Sequence, residues 1–403
     1  MKIACVGGGP GGLYLSILLK LRDSGNEVTV YERNKSGSRS GWGVTFGPGL
    51  LAELYRQDPG TARQLEAAAE IRWQGTVVWH RGERHAEPGH PNFVVHSISR
   101  RQMIDIFTSR AEALGVNLEY DVSVTSPAAL PWADVIVAAD GVKSQLRSTV
   151  EGLGTRIATR TSKYIWLGST TVYRPLTYLF VESAHGWLCG HTYGIDSATS
   201  AFFVECAEQT WTGLGFNRMS TSEALPVLYN LFSEYLDGGR LLGTLPDGSD
   251  ARWQNFTTVS NQHWRSGNVV LIGDAAHTNY PSTGMGTTLA FQDGVCLADA
   301  LHSGRDIPSA LESYERQRKR AMRRPSVDAA VNARWFDNAL RHADFLSPVQ
   351  LATLLFARSS PLLCILPPRL AYLLKHRSKR VAFLAAIRDL ATPVVRPFVS
   401  GRR

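Results

Sequence analysis

The chain has 403 residues, 44% of them hydrophobic and 19% charged, which is globular material for one large domain or two intimate ones. The net charge of +8 sits at one end: ten Lys or Arg and one acid, Asp389, fall between Arg358 and Arg403, interleaved with apolar residues, which argues against a nucleic-acid partner. Five scattered cysteines without Cys-x-x-Cys or Cys/His spacing argue against a metal site or a disulfide framework, and the absence of a leader or an apolar run of about 18 residues argues for a cytoplasmic location.

In chain order, KIACV (2–6) reads as a short apolar strand and GGGPGG (7–12) as a turn. LYLSILLKLRDSG (13–25) reads as a helix, with Leu13, Ile17, Leu18 and Leu21 on one face and Gly25 as its stop. EVTVYE (27–32) is the next strand. The turn fits Gly7-x-Gly9-x-x-Gly12. The first glycine permits the tight turn, the second lets a pyrophosphate approach the backbone, and the third lets the helix pack on the strand. Free N–H groups at the helix start then face the phosphate charge. Glu32, at the end of the second strand, can bind ribose hydroxyls, which favours FAD or NAD over NADP.

Between about 164 and 214, the runs YIWLGSTTVY, LTYLFVE, GWLCGHTYG and SAFFVEC predict an antiparallel sheet. His191 and Tyr193 alternate on one run and share a side. Facing a ligand, His191 would be a catalytic acid/base candidate with Tyr193 beside it; otherwise both are ordinary sheet residues. Trp42, Phe46, Trp166 and Trp187 are either the walls of a flat substrate pocket or core.

NVVLI (268–272) reads as a buried strand that runs straight into GDAAHTNYPSTGMG (273–286). A bound FAD needs the protein twice: a glycine turn for its ADP half, and a distant segment for its ribityl chain and flavin. Asp274 can accept hydrogen bonds from ribityl hydroxyls, and a helix starting near Gly284–Met285–Gly286 can aim N–H groups at the electron-rich edge of a reduced flavin. This second segment selects FAD. His277 reads as structural. From 308 onward the pattern is helical, interrupted by Pro325, Pro348, Pro361 and Pro367–Pro368. A second nucleotide fingerprint is missing, so a pyridine nucleotide would visit rather than reside.

GGGPGG…YERN, ADGVKSQLR (139–147) and GDAAHTNYPSTGMG together resemble the FAD-dependent aromatic hydroxylases, the single-component flavoprotein monooxygenases. GWGVTF (41–46), SISRRQM (97–103), YIWLGSTT (164–171), HGWLCGHTYG (185–194), FFVECAEQTW (202–211) and ARWFDN (333–338) look most like salicyloyl-CoA hydroxylases and the monooxygenase half of anthraniloyl-CoA monooxygenase/reductase. The resemblance runs over roughly residues 1–340; Thr288 stands where many relatives have Asn. It implies an α/β fold: a Rossmann-like FAD-binding domain of the glutathione-reductase type (1–160 and 260–345), an inserted antiparallel β-sheet substrate domain (161–259) and a basic, helical C-terminal extension (346–403).

By motif position, Gly7, Gly9, Gly12 and Glu32 would bind the ADP half of FAD, and Arg39 would lie beside the flavin. Arg100 would reach the phosphate and ribityl region, Asp140 and Gly141 would support the cofactor with Arg147 nearby, and Asp274 would bind the ribityl chain. Pro281, Gly284 and Gly286 would shape the pocket over the flavin. The implied reaction uses NAD(P)H and O₂ to hydroxylate or epoxidise an electron-rich aromatic through a flavin hydroperoxide. The substrate alternatives are an aryl-CoA thioester or a free lipophilic arene or indole; a further alternative is a flavin oxidase or reductase without oxygen insertion. The expected assembly is a monomer or homodimer. The basic tail has three readings: attraction of a phosphorylated substrate, peripheral contact with an anionic membrane, or a solvated helix pair.

Overall fold

The computed structural model describes residues 1–38, 41–280, 284–356, 358, 366–367, 370 and 372–374, with the backbone alone at 338–342. The strand Lys2–Val6 lies at the centre of a six-stranded sheet. One flank continues through Glu27–Glu32 to Asn117–Tyr120, the other through Val135–Ala138 and Val269–Leu271 to Arg265–Ser266. All pairs are parallel except the last. Such a sheet is covered on both faces, so its strands read as apolar runs rather than alternations: Val135–Ala138 and Val269–Leu271 are buried at every position.

The helix Pro10–Arg22 is buried from Gly12 through Leu19, wider than a single stripe. It lies between the helices Arg100–Ala113 and Gly286–Ser303, and the Tyr14 ring touches Phe107 and Phe291, with centroids 5.6 and 4.6 Å away. That triple-helix layer brings the glycine turn and the segment after Val269–Leu271 to the same end of the sheet.

The second sheet is built on Arg156–Ser169, Leu176–Ser183, Gly186–Gly194 and Ser200–Cys206. Register places Trp166, Phe203, His191 and Tyr178 side by side on one face, with Tyr164 and Glu205 two residues along. The opposite face, including Ile165, Leu167, Leu188, Phe202 and Val204, packs with Leu228 and Phe232 of the helix Thr221–Phe232. Two findings differ from the expected boundaries and pairing. The sheet also takes Thr76–His80 and Glu83–Glu87 from outside 161–259, and Leu176–Ser183 pairs with Thr76–His80 in parallel.

The helix Ile307–His342 continues through Pro325. Its N-terminal half packs on the nucleotide half through Leu311 and Tyr314, its C-terminal half on the second sheet through Ala333 and Phe336. Packing at both ends offsets the cost of an interior proline, about 3 kcal/mol. A shorter helix, Pro348–Phe356, follows. Most of the basic run beyond it lies outside the described residues, and so do the features on which the tail's three readings rest. Among the described residues no helix is long and apolar enough to cross a membrane.

Candidate active site

The glycine turn is shaped by close approach. Gly7 has φ +117°, and a Cβ there would fall on the carbonyl oxygen of Ala139; a Cβ on Gly12 would fall on the carbonyl oxygen of Gly7. Gly9 caps the helix Pro10–Arg22 without a side-chain hydrogen bond. Glu32 closes the turn from the next strand: its Oε2 accepts from the Gly8 N–H at 2.8 Å, and its Oε1 accepts from the Asn34 backbone N–H at 2.9 Å. Gly8, Leu13, Val30, Ile104 and the carboxylates Glu32 and Glu119 help to line a small depression here, part apolar and part polar.

Two distant motifs are joined by one buried guanidinium. Arg147 donates to the carbonyl oxygens of Val142 (2.8 Å) and Ala275 (3.0 Å), which ties ADGVKSQLR to GDAAH. Asp140 Oδ2 accepts from the Gln145 and Leu146 N–H groups, while its Oδ1 is buried without a hydrogen-bond partner. Beneath Asp274 the chain is pinned by a carboxylate the sequence did not single out. Asp293 Oδ2 accepts from the Gly273 N–H and bonds His277 Nε2, both at 2.8 Å, and its Oδ1 accepts from Arg318 Nε at 2.7 Å. Burial pushes the Asp293 carboxyl up, but His277 and Arg318 more than offset this and hold it below its ordinary value. His277, stacked on Trp264, is part of this support.

Asp274 itself is open to solvent yet ringed by protein, as a residue in a concave surface is. Burial raises its pKa, with His277 and Arg100 pulling the other way. Arg100, at the start of the helix Arg100–Ala113, is desolvated enough to lower its own pKa, while Asp274, Glu32 and Tyr193 act on it in the opposite sense. One cation thus stands within electrostatic reach of both the ribose-binding acid and the ribityl-binding acid. Gly41 lets the cleft wall close, since a Cβ there would press on Arg100 and Trp166. Gly168 does the same for Trp42, whose ring lies on it. Tyr193 donates to the Gly43 carbonyl at 3.2 Å, and burial raises its pKa. Gly284 sits near Thr45, and Gly286 begins the helix Gly286–Ser303 with open space around it. Arg39 and Pro281 lie outside the described residues.

Farther along the same sheet face, His191 is enclosed by Tyr178, Phe203 and Phe336 at ring-centroid distances of 4.8, 5.4 and 4.9 Å. Burial first, and then the Arg358 charge, push its pKa down to about 3, so the imidazole is neutral near pH 7. Its Nε2 has no hydrogen-bond partner among the described residues and lies 3.6 Å from Glu205 Oε2, too far for a good bond. Glu205, 1% exposed, accepts from the Tyr280 hydroxyl. Arg358, C-terminal to the helix Pro348–Phe356, donates to the Tyr178 hydroxyl at 3.1 Å. Trp187 and Phe46 are core: Trp187 donates to Asp344 at 2.7 Å, and Phe46 stacks on His96. Glu205, Tyr280, Asp293 and Arg358 went unnoticed in the sequence. Only Glu205 left a signal, an acid at a position of SAFFVEC that shares its face with Phe203.

The arrangement fits a flavin dinucleotide. The glycine cradle has no room for a Cβ at Gly7 or Gly12, a buried Asp140 oxygen lacks a partner among the described residues, and two acids act on one arginine between them. Residues 245–328 match the family described as FAD binding domain. The chain is 33% identical to the salicyloyl-CoA 5-hydroxylase of a Streptomyces species over 372 residues, 90% of this chain and 70% of that one. It is 31% identical to the 3-hydroxy-4-methyl-anthranilyl-[aryl-carrier protein] 5-monooxygenase of Streptosporangium sibiricum, over 83% of this chain and 89% of that one. In fold it is similar to 2-methyl-3-hydroxypyridine-5-carboxylic acid oxygenase, with a TM-score of 0.68 and 19% identity over 84% of this chain and 91% of that one. With two such monooxygenases above 30% identity over most of its length, the chain belongs to the FAD-dependent aromatic monooxygenases.

Proposed function

We propose that the protein oxygenates an electron-rich aromatic acid held as a thioester, with NAD(P)H as a visiting reductant. The observation that carries this reading is the aromatic row Trp166, Phe203, His191 and Tyr178, whose Trp166 end meets Arg100 across Gly41. The thioester is favoured because both relatives above 30% identity are named for aryl groups on CoA or a carrier protein. FAD, when bound and reduced, supplies the activation of O₂ for transfer of one oxygen atom.

In this reading Gly7, Gly9, Gly12 and Glu32 hold the ADP half of the cofactor. Arg100, Asp140 and Asp274 hold its middle, and Gly284 and Gly286 leave room at the start of a helix. Trp42 and Trp166 exclude water from the ring's approach. His191, kept neutral, offers a hydrogen bond rather than a charge to a ring substituent, and Tyr193 fixes the wall beside it through Gly43.

The test is NADH and NADPH oxidation by the FAD-loaded enzyme at constant O₂, with peroxide followed in parallel. Salicyloyl-CoA, anthraniloyl-CoA, their free acids and a set of lipophilic indoles are supplied in turn. Stimulation by a thioester and not by its free acid, with little peroxide, is expected. Stimulation by an indole alone overturns the thioester reading, and complete conversion of reductant to peroxide overturns oxygen transfer.

A further inference from the structure

A groove of about 390 Å³ lies along the strand Gln254–Ser260, bounded by Ala276–Tyr280 and the middle of the helix Ile307–His342. This volume is within the range of small-molecule clefts, about 300–1,000 Å³. Its buried apolar members include Met322, Ala329 and Ala333 from the helix and Phe256 from the strand. Its solvent-facing members include three cations, Arg160, Lys319 and Arg323. Arg160 pairs with Asp337 and Lys319 with Glu315. Lys319 is partly exposed on the side away from Glu315, so a phosphate can compete for this cation.

Two further observations point to a ligand. His277 lines the groove and is 7% exposed; its Nε2 is held by Asp293, but its Nδ1 is buried without a partner among the described residues. Tyr280 and Phe256 also line the groove, yet both belong to the aromatic cluster of the sheet face, and the Tyr280 hydroxyl reaches Glu205 on that face. Groove and candidate substrate face therefore share a wall one side chain thick.

We propose that this groove binds the phosphopantetheine arm of the thioester substrate. The phosphate lies between Lys319 and Arg323, one turn apart on the helix Ile307–His342, and the arm runs over the alanines toward Tyr280 and Arg160. This assignment rests on the thioester reading above. Phosphopantetheine is common to coenzyme A and to carrier proteins, so the ligand chemistry is named and its source is left to the measurement.

Coenzyme A and 4′-phosphopantetheine are titrated calorimetrically into the FAD-loaded enzyme and three exposed-site variants. Arg323→Glu reverses a rim charge, and Ala330→Trp fills the groove. Val327→Trp, on the same helix but not lining the groove, is the control. Binding to wild type and control, weakened tenfold or more in the other two, supports the groove. Similar affinity for the two probes points to a carrier-protein source; markedly tighter coenzyme A binding points to the nucleotide-bearing one. Absence of binding to wild type, equal binding by all variants, or displacement by NADH overturns the proposal. If coenzyme A binds as expected but no aryl thioester stimulates NAD(P)H oxidation, the groove stands and the thioester substrate falls. If a thioester stimulates all variants with one KM, the substrate reading stands and the groove falls.

Discussion

His191 shows what burial does to a titratable group that gains no partner. Its folded pKa, about 3, lies below the ordinary 6.5, so the unfolded chain takes up the proton first. The stabilising effect of a neutral ring is fully present above pH 6.5. It is lost as pH falls toward 3, at up to about 1.4 kcal/mol per pH unit. Buried His80, pushed down to about 4, contributes in the same sense. Urea midpoints measured from pH 4 to 7 should therefore be flatter for His191→Phe than for wild type; parallel profiles would mean that His191 titrates normally. Asp274 acts on the cofactor instead. Asp274→Ala removes hydrogen bonds to a charged acceptor, each worth about 1.5–3 kcal/mol, so flavin should be released roughly 10- to 150-fold more readily. Fluorescence of free flavin on dilution measures this, and unchanged retention would remove Asp274 from the cofactor site. Both residues were legible, Asp274 from its place after a buried strand and His191 from alternation. The neighbours of His191 were not, because Glu205 meets it only through strand register and Tyr280 only through the path of a loop.

Asp293 ties three elements together: the Gly273–His277 turn, the helix Gly286–Ser303 and, through Arg318, the helix Ile307–His342. Asp293→Ala leaves a buried guanidinium without its counter-charge, which costs about 3–5 kcal/mol. Thermal unfolding of the FAD-loaded variant should show a large drop in Tm, larger than for the exposed Arg22–Asp299 pair broken by Asp299→Ala. Equal drops would mean that the network adds nothing beyond a surface pair. At the glycine turn, Gly12→Ala places a Cβ on the Gly7 carbonyl oxygen, and the purified protein should be colourless. These two elements mark the boundary of what sequence conveys. A glycine spacing states its own geometry, because only a missing side chain fits. Asp293, by contrast, is an ordinary acid in GTTLAFQDGVCLADALHS until the fold surrounds it with His277 and Arg318.

For the whole molecule, chain order already suggested a nucleotide half interrupted by a sheet and then resumed. The borrowed strands Thr76–His80 and Glu83–Glu87 were hidden because ERHAE carries no apolar alternation and pairs only at the sheet edge. The same interruption predicts that residues 1–160, expressed alone, bind no FAD. Arg147 would lack its Ala275 acceptor, and Val135–Ala138 would lack its neighbour Val269–Leu271. A yellow 1–160 fragment would contradict this. Vectorial synthesis meets the same gap. The edge of Val135–Ala138 waits for a partner encoded more than 130 residues later, roughly 7–26 s at about 5–20 residues per second on the ribosome. For that interval an apolar strand edge has no native cover. Cofactor capture therefore waits until Val269–Leu271 has been made, and slower elongation or lower temperature during expression should act on yield through this exposed edge.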